Sequence, residues 1–148
     1  MIRVARTRVA AGNVDFVVGD ALELIPSLGT FACIATLATF HHLPQDAAAE
    51  CLKAALAPGG TLILHDLWRV DAPADRVLDV VRIPVKIVRL LGLGAPLTYT
   101  HMERAAWRAH ERDDVHLTMR EVDVLRQRHF PRAIVHKHFL WRYTLVWR

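Results

Sequence analysis

The sequence predicts a single α/β domain built on a mostly parallel sheet. Three observations carry that expectation. Residues 31–39 (FACIATLAT) and 61–67 (TLILHDL) are nearly continuous apolar runs of strand length, as strands covered on both faces by helices require. Between them, Ala48, Cys51, Leu52, Ala55 and Leu56 recur at helical spacing, with Glu50 and Lys53 on the opposite side. The chain has 148 residues, 53% of them hydrophobic and 23% charged, which gives one domain a core and excludes a disordered tail.

Taken in order, residues 2–11 read as the end of a helix, stopped by Gly12-Asn13. Val14-Asp15-Phe16-Val17-Val18 is a short β-branched run closed by Gly19-Asp20 and is expected to be a buried strand. One helical turn follows over 21–25 before Pro26. After the strand at 31–39, His41-His42-Leu43-Pro44 forms a loop. The helix over 45–57 then ends at Pro58-Gly59-Gly60. The strand at 61–67 acquires polar residues only at its end, His65 and Asp66. Thr118 and Glu121 have capping-box spacing, so a helix starts there and runs to about residue 129 before Pro131. Residues 133–139 and 142–147 alternate as two final strands. Strand–helix alternation of this kind implies right-handed crossovers and a layered sheet.

Composition narrows the partners. Arg outnumbers Lys 16 to 3 and the net charge is +4, but the basic residues are dispersed and no aromatic-and-basic signature accompanies them. Nucleic acid is therefore not an expected partner. No run of 18 uncharged apolar residues predicts a membrane-spanning helix, and the N-terminus lacks the apolar stretch of a secretory leader. A cytoplasmic address is expected. Cys33 and Cys51 fall within apolar periodic segments, where burial as thiols is the expectation, and form neither a CxxC pair nor a disulfide framework.

The succession VDFVVGDALEL, FACIATLATFHHLP, LAPGGTLILHDLW and FLWRYTLVWR resembles class I S-adenosylmethionine-dependent methyltransferases of the small-molecule type. The likeness spans 1–69 and 118–148. It implies a Rossmann-like methyltransferase sheet, mostly parallel with an antiparallel C-terminal strand. It also implies S-adenosylmethionine as cofactor and methyl transfer to a small, lipophilic acceptor. By resemblance, Asp20 accepts a hydrogen bond from the adenine amino group, and Ala21 and Leu22 border the adenine ring. Leu37, Ala38 and His42 run beneath the methionine part and the acceptor. Asp66 faces the acceptor side, where open α/β sheets bind ligands beyond the carboxyl ends of their strands.

The departures are as informative. The seven glycines make no GxGxxG between a strand and a helix, Ala32 replaces a frequent acidic residue, and the first two strands of the family's sheet have no counterpart. The expectation is thus one partial domain over 1–148, N-terminally truncated, lacking those two strands, with 70–117 as an insertion or lid. Such a chain is expected to bind its cofactor poorly and, with strand edges unpaired, to form homo-oligomers or aggregate.

Methyl transfer depends chiefly on in-line positioning. A hydroxyl or enol acceptor also needs a base, a role open to His41 or His42, with Asp66 nearby; each also has the plainer reading of a loop or capping residue. His129, His136 and His138 complete no ligand spacing with cysteine or carboxylate, so no metal is expected. His101, His110 and His116 fit no motif. In the insertion, Asp75, Asp79, Arg82, Lys86 and Arg89 form a narrow polar stripe on a helix that is otherwise apolar and kinked at Pro84. Its apolar face is open to four readings: burial in the domain, a lid, a dimer contact or peripheral membrane contact. The alternative function is a non-catalytic remnant acting as an interaction or membrane-surface module through 75–91.

Overall fold

The structure, a computed structural model, describes residues 6–9, 12–71, 84, 87–88, 115–138 and 141–148. A short helix α1 (Ala21–Leu24) continues into a 3-10 turn (Ile25–Ser27) with Pro26 in its first turn. Strand β1 (Phe31–Leu37) is followed by a second 3-10 turn (Phe40–His42) and helix α2 (Gln45–Ala54). Strand β2 (Leu56–Leu67), helix α3 (Met119–His129) and strands β3 (Ile134–Lys137) and β4 (Arg142–Trp147) complete the set.

The four strands form one sheet in the order β1-β2-β4-β3. β1 and β2 are parallel, with Leu37 beside His65. β4 lies antiparallel between β2 and β3, placing Tyr143 opposite Asp66. This is the mostly parallel sheet with an antiparallel C-terminal strand that the sequence implied.

One face of the sheet carries the core. Leu62, Leu64 and Trp68 on the β2 side and Tyr143 and Leu145 on β4 are buried against Ala48, Ala49 and Leu52 of α2 and Val122 and Leu125 of α3, with Phe40 and Phe130 completing the cluster. The period-2 alternation along β2 puts the apolar side chains of even number inward. α3 begins where the sequence placed it: Thr118 Oγ1 accepts from Glu121 N at 3.2 Å while Glu121 Oε2 accepts from Thr118 N at 2.7 Å.

Several expectations fail. Residues 14–18 are not a strand, and Val17 and Val18 are 53% and 72% exposed. A strand needs a neighbouring strand to satisfy its backbone donors and acceptors; among the described residues no strand pairs with this run, and the Phe16 carbonyl accepts from the Arg6 side chain at 2.9 Å instead. For the same reason β1 is an edge strand paired only with β2 among the described residues, and it is not covered on both faces: Cys33, Ala35 and Leu37 are exposed. Cys33 is accordingly an exposed thiol, not a buried one, and Cys51 is half-buried.

The helix over 45–57 stops at Ala54, and β2 begins at Leu56, before Pro58-Gly59-Gly60, because Leu56 already pairs with Phe31. The glycines instead serve an irregularity in the ladder between Phe31 and Cys33. Gly59 has φ +75°, and a Cβ on Gly60 would lie 2.9 Å from the Ala57 carbonyl oxygen. The polar-striped helix at 75–91 lies almost wholly outside the described residues; 84, 87 and 88 are helical, with Ile87 and Val88 exposed. Among the described residues no helix is long and apolar enough to cross a membrane.

Candidate functional site

The parallel register that sets Leu37 beside His65 also brings the loop after β1 over the end of β2. Ala38 makes the turn. Its φ of +49° is a left-handed conformation uncommon for a residue with a Cβ, and its N–H donates to the His65 carbonyl at 2.8 Å. The chain then winds through the 3-10 turn at Phe40–His42, with Phe40 buried in the core as its anchor.

This geometry joins His41 to Asp66. Asp66 is 1% exposed and its carboxylate accepts three hydrogen bonds: Oδ2 from the backbone N–H of His41 at 2.8 Å, and Oδ1 from His41 Nδ1 at 2.5 Å and Leu67 N at 2.7 Å. A carboxylate accepts and does not donate, so the proton on this side of the imidazole sits on Nδ1. The basic position of the neutral ring is then Nε2. Tyr143, beside Asp66 on β4, has its phenol pushed well above the usual range by burial and by the Asp66 charge, so it stays protonated.

The two loop histidines part company. His41 is 6% exposed and held by Asp66, whereas His42 faces solvent with its ring centroid 3.9 Å from that of His41. A third imidazole, His116, lies 4.6 Å from His41, with the rings inclined at 43°. It arrives because residues 115–117 re-enter along the same edge. Val115 N donates to the His41 carbonyl at 3.1 Å, Gln45 Nε2 donates to the Val115 carbonyl at 2.9 Å, and Leu117 bridges Trp68. No local signal marks His116. The capping box two residues on could have indicated it, since that box fixes where the chain rejoins the domain.

The expected cofactor residues are less gathered. Asp20 caps α1, Oδ1 accepting from Leu22 N at 2.8 Å, which leaves Oδ2 as the acceptor for an amino group. Ala21 and Leu22 form the first turn of that helix. Leu22 is half-buried and lines a cleft of about 500 Å³ with Pro26, Ala47 and Cys51, away from the His41–Asp66 pair. Leu37 is 67% exposed at the end of β1. Of the residues expected at the adenine end, Asp20 is the one that offers a carboxylate acceptor. Among the described residues no glycine-rich turn or second acidic strand end stands ready for the ribose.

Three further histidines have structural partners. His129, weighed above as a metal ligand, is instead clamped between helices, Nδ1 to Glu50 Oε1 and Nε2 to Asp46 Oδ1, each at 2.7 Å. His65 Nδ1 and His138 Nε2 both meet Thr144 Oγ1, at 2.8 and 2.7 Å, on the opposite face of the sheet from Asp66. Among the described residues no group of three or more His, Cys, Asp or Glu is arranged to hold a metal ion.

Comparison with known proteins bears on this arrangement. Residues 1–60 match the family model of a methyltransferase domain, and no curated protein matches the chain. The matched span includes Asp20, β1 and the loop carrying His41 and His42. Residues 1–60 are thus similar to a methyltransferase domain, and the parallel-then-antiparallel sheet is that of a Rossmann-like fold.

Proposed function

We propose that the chain serves methyl transfer from S-adenosylmethionine to a small acceptor, with the His41–Asp66 pair at the centre of the site. The observation that carries the reading is the place of that pair: it joins the carboxyl ends of two parallel strands, where open α/β sheets bind ligands, within a methyltransferase-type domain. When bound, the cofactor would supply an electrophilic methyl group on its sulfonium, with the thioether as leaving group, and a base of the chain would take the acceptor's proton.

The chain's own residues divide the remaining work. Asp66 fixes the tautomer and orientation of His41, and through the His41 N–H it also fixes the loop. His41 or the exposed His42 takes the proton. Asp20 Oδ2 holds the adenine amino group, with Ala21 and Leu22 beside it and Leu37 and Ala38 along the methionine path.

Titration calorimetry with S-adenosylhomocysteine tests the reading, beside Asp20→Ala. Binding that the substitution abolishes supports it. No heat from a folded sample removes methyl transfer from this chain and leaves the alternative of a non-catalytic interaction module. That module's proposed helix, 75–91, lies almost wholly outside the described residues.

A further inference from the structure

The face of the sheet turned away from the helices carries a cluster that the proposed methyl transfer does not use. Register sets His65 on β2, Thr144 on β4 and His136 on β3 in one row, since Thr144 pairs with both histidines. Arg142 lies two residues from Thr144 and His138 two residues from His136, so both share that face. The His138 N–H donates to the Arg142 carbonyl at 2.7 Å, which continues the pairing just past β3. The neighbouring positions on this face are Leu37, Ile63, Leu67, Ile134 and Val146, none of them charged. Lys137 lies on the opposite face, over the Trp68 ring, and Asp66 turns to the helical side. Among the described strand residues, this face therefore gathers three imidazoles and a guanidinium with no carboxylate.

Two of the imidazoles share one hydroxyl. His65 Nδ1 and His138 Nε2 lie 2.8 and 2.7 Å from Thr144 Oγ1, and their ring centroids are 5.6 Å apart. With both rings neutral, the hydroxyl can give its single proton to one of them. With both protonated, each ring can only donate to the oxygen, so the hydroxyl proton and the two remaining ring N–H groups are left for another acceptor. The same step sets two like charges 5.6 Å apart on a face without a carboxylate to balance them. Protonation thus creates both the donors and the need for an anion. We propose that this face holds a proton-coupled anion site for a doubly charged tetrahedral oxyanion: phosphate, or the phosphate group of a monoester. Thr144 Oγ1, His65 Nε2, His138 Nδ1 and the Arg142 guanidinium supply the donors, and His136 adds charge at the rim. Donors from four side chains suit the several oxygens of such an ion better than the two of a carboxylate. Imidazoles ordinarily titrate at about pH 6.5, so the site fills below that pH and empties above it.

Sulfate is the probe, because it stays doubly charged across the range tested and leaves the chain as the only titrating partner. At constant ionic strength it is expected to shift the ring resonances of His65 and His138 at about pH 5.5, where chloride does not, and to bind about tenfold more weakly at about pH 8. Thr144→Val keeps the β-branch and removes the shared oxygen. It and Arg142→Gln are each expected to weaken sulfate about tenfold, the loss of one charge-assisted hydrogen bond. His138→Ala, at an exposed position, is expected to remove most of the pH dependence. Inorganic phosphate and phenyl phosphate, compared at equal dianion concentration, tell a free ion from a monoester: either may be the tighter ligand, and tighter binding of one names the source while sustaining the site. The inference is overturned if sulfate shifts neither ring beyond the chloride control, binds as tightly at about pH 8 as at about pH 5.5, or is indifferent to both Thr144→Val and His138→Ala.

Discussion

Asp66 shows how much one buried carboxylate can organise. Removing it in Asp66→Ala leaves His41 N, His41 Nδ1 and Leu67 N without their acceptor. The expected cost is about 2–4 kcal/mol, read from urea unfolding. Asp66→Asn retains the shape but turns one acceptor into a donor facing donors, and is expected to cost a substantial part of the same amount. Thr36 gives the opposite case: its Oγ1 is buried without a hydrogen-bond partner among the described residues. Thr36→Val keeps the volume and the β-branch, so it is expected to stabilise by about 1 kcal/mol in the same assay. The strings FHHLP and LHDL marked both halves of the site in the sequence. Their pairing across 25 residues was not legible locally, because it arises from the register of β1 on β2. His116 was missed for the same reason at longer range, 75 residues from His41.

Helix by helix, legibility followed local chemistry. The start of α3 was readable because its capping box is contained in four consecutive residues. The end of α2 was misplaced because the competing event, pairing of Leu56 with Phe31, is non-local. The contact between these helices also carries a pH dependence. His129, 5% exposed, lies between Asp46 and Glu50 with a ring nitrogen 2.7 Å from each carboxylate, and Arg128 adds to Asp46 at 3.2 Å. Hydrogen bonding to His129 is the largest cause holding both carboxyls below their ordinary 3.8 and 4.5. A depressed carboxyl contributes stability that is fully present above its unfolded value and is lost as pH falls through its folded one. The gap in urea midpoint between the unaltered chain and His129→Ala is therefore expected to be widest above about pH 5 and to narrow as the pH drops below about 4. A gap that grew in acid would show that the carboxylates are not what His129 serves.

For the molecule as a whole, the informative surface is the one the sequence described as covered. An unbroken apolar run such as FACIATL reads as a strand buried on both faces, and the local pattern has no means of registering whether neighbours exist. Among the described residues β1 has β2 on one side only, and the side chains of Cys33, Ala35 and Leu37 point away from the helical layer. Edge strands in soluble proteins are commonly blunted by a charge, a proline or a bulge. β1 carries no charged residue and no proline, and its irregular register is confined to its first residues, so Ile34 to Leu37 present a regular, uncharged edge. A neutral strand meets no like-charge penalty on pairing with its own copy, and two-fold pairing of β1 with β1 would extend the sheet across both chains. Sedimentation velocity is accordingly expected to show concentration-dependent association of the unaltered chain, and Ala35→Lys to shift the population toward monomer. A charge at that position disfavours strand addition while leaving the helix-covered face of the sheet untouched. If the unaltered chain sediments as a monomer at every concentration, β1 is not an association edge, and its exposed apolar side chains must be met within the chain itself.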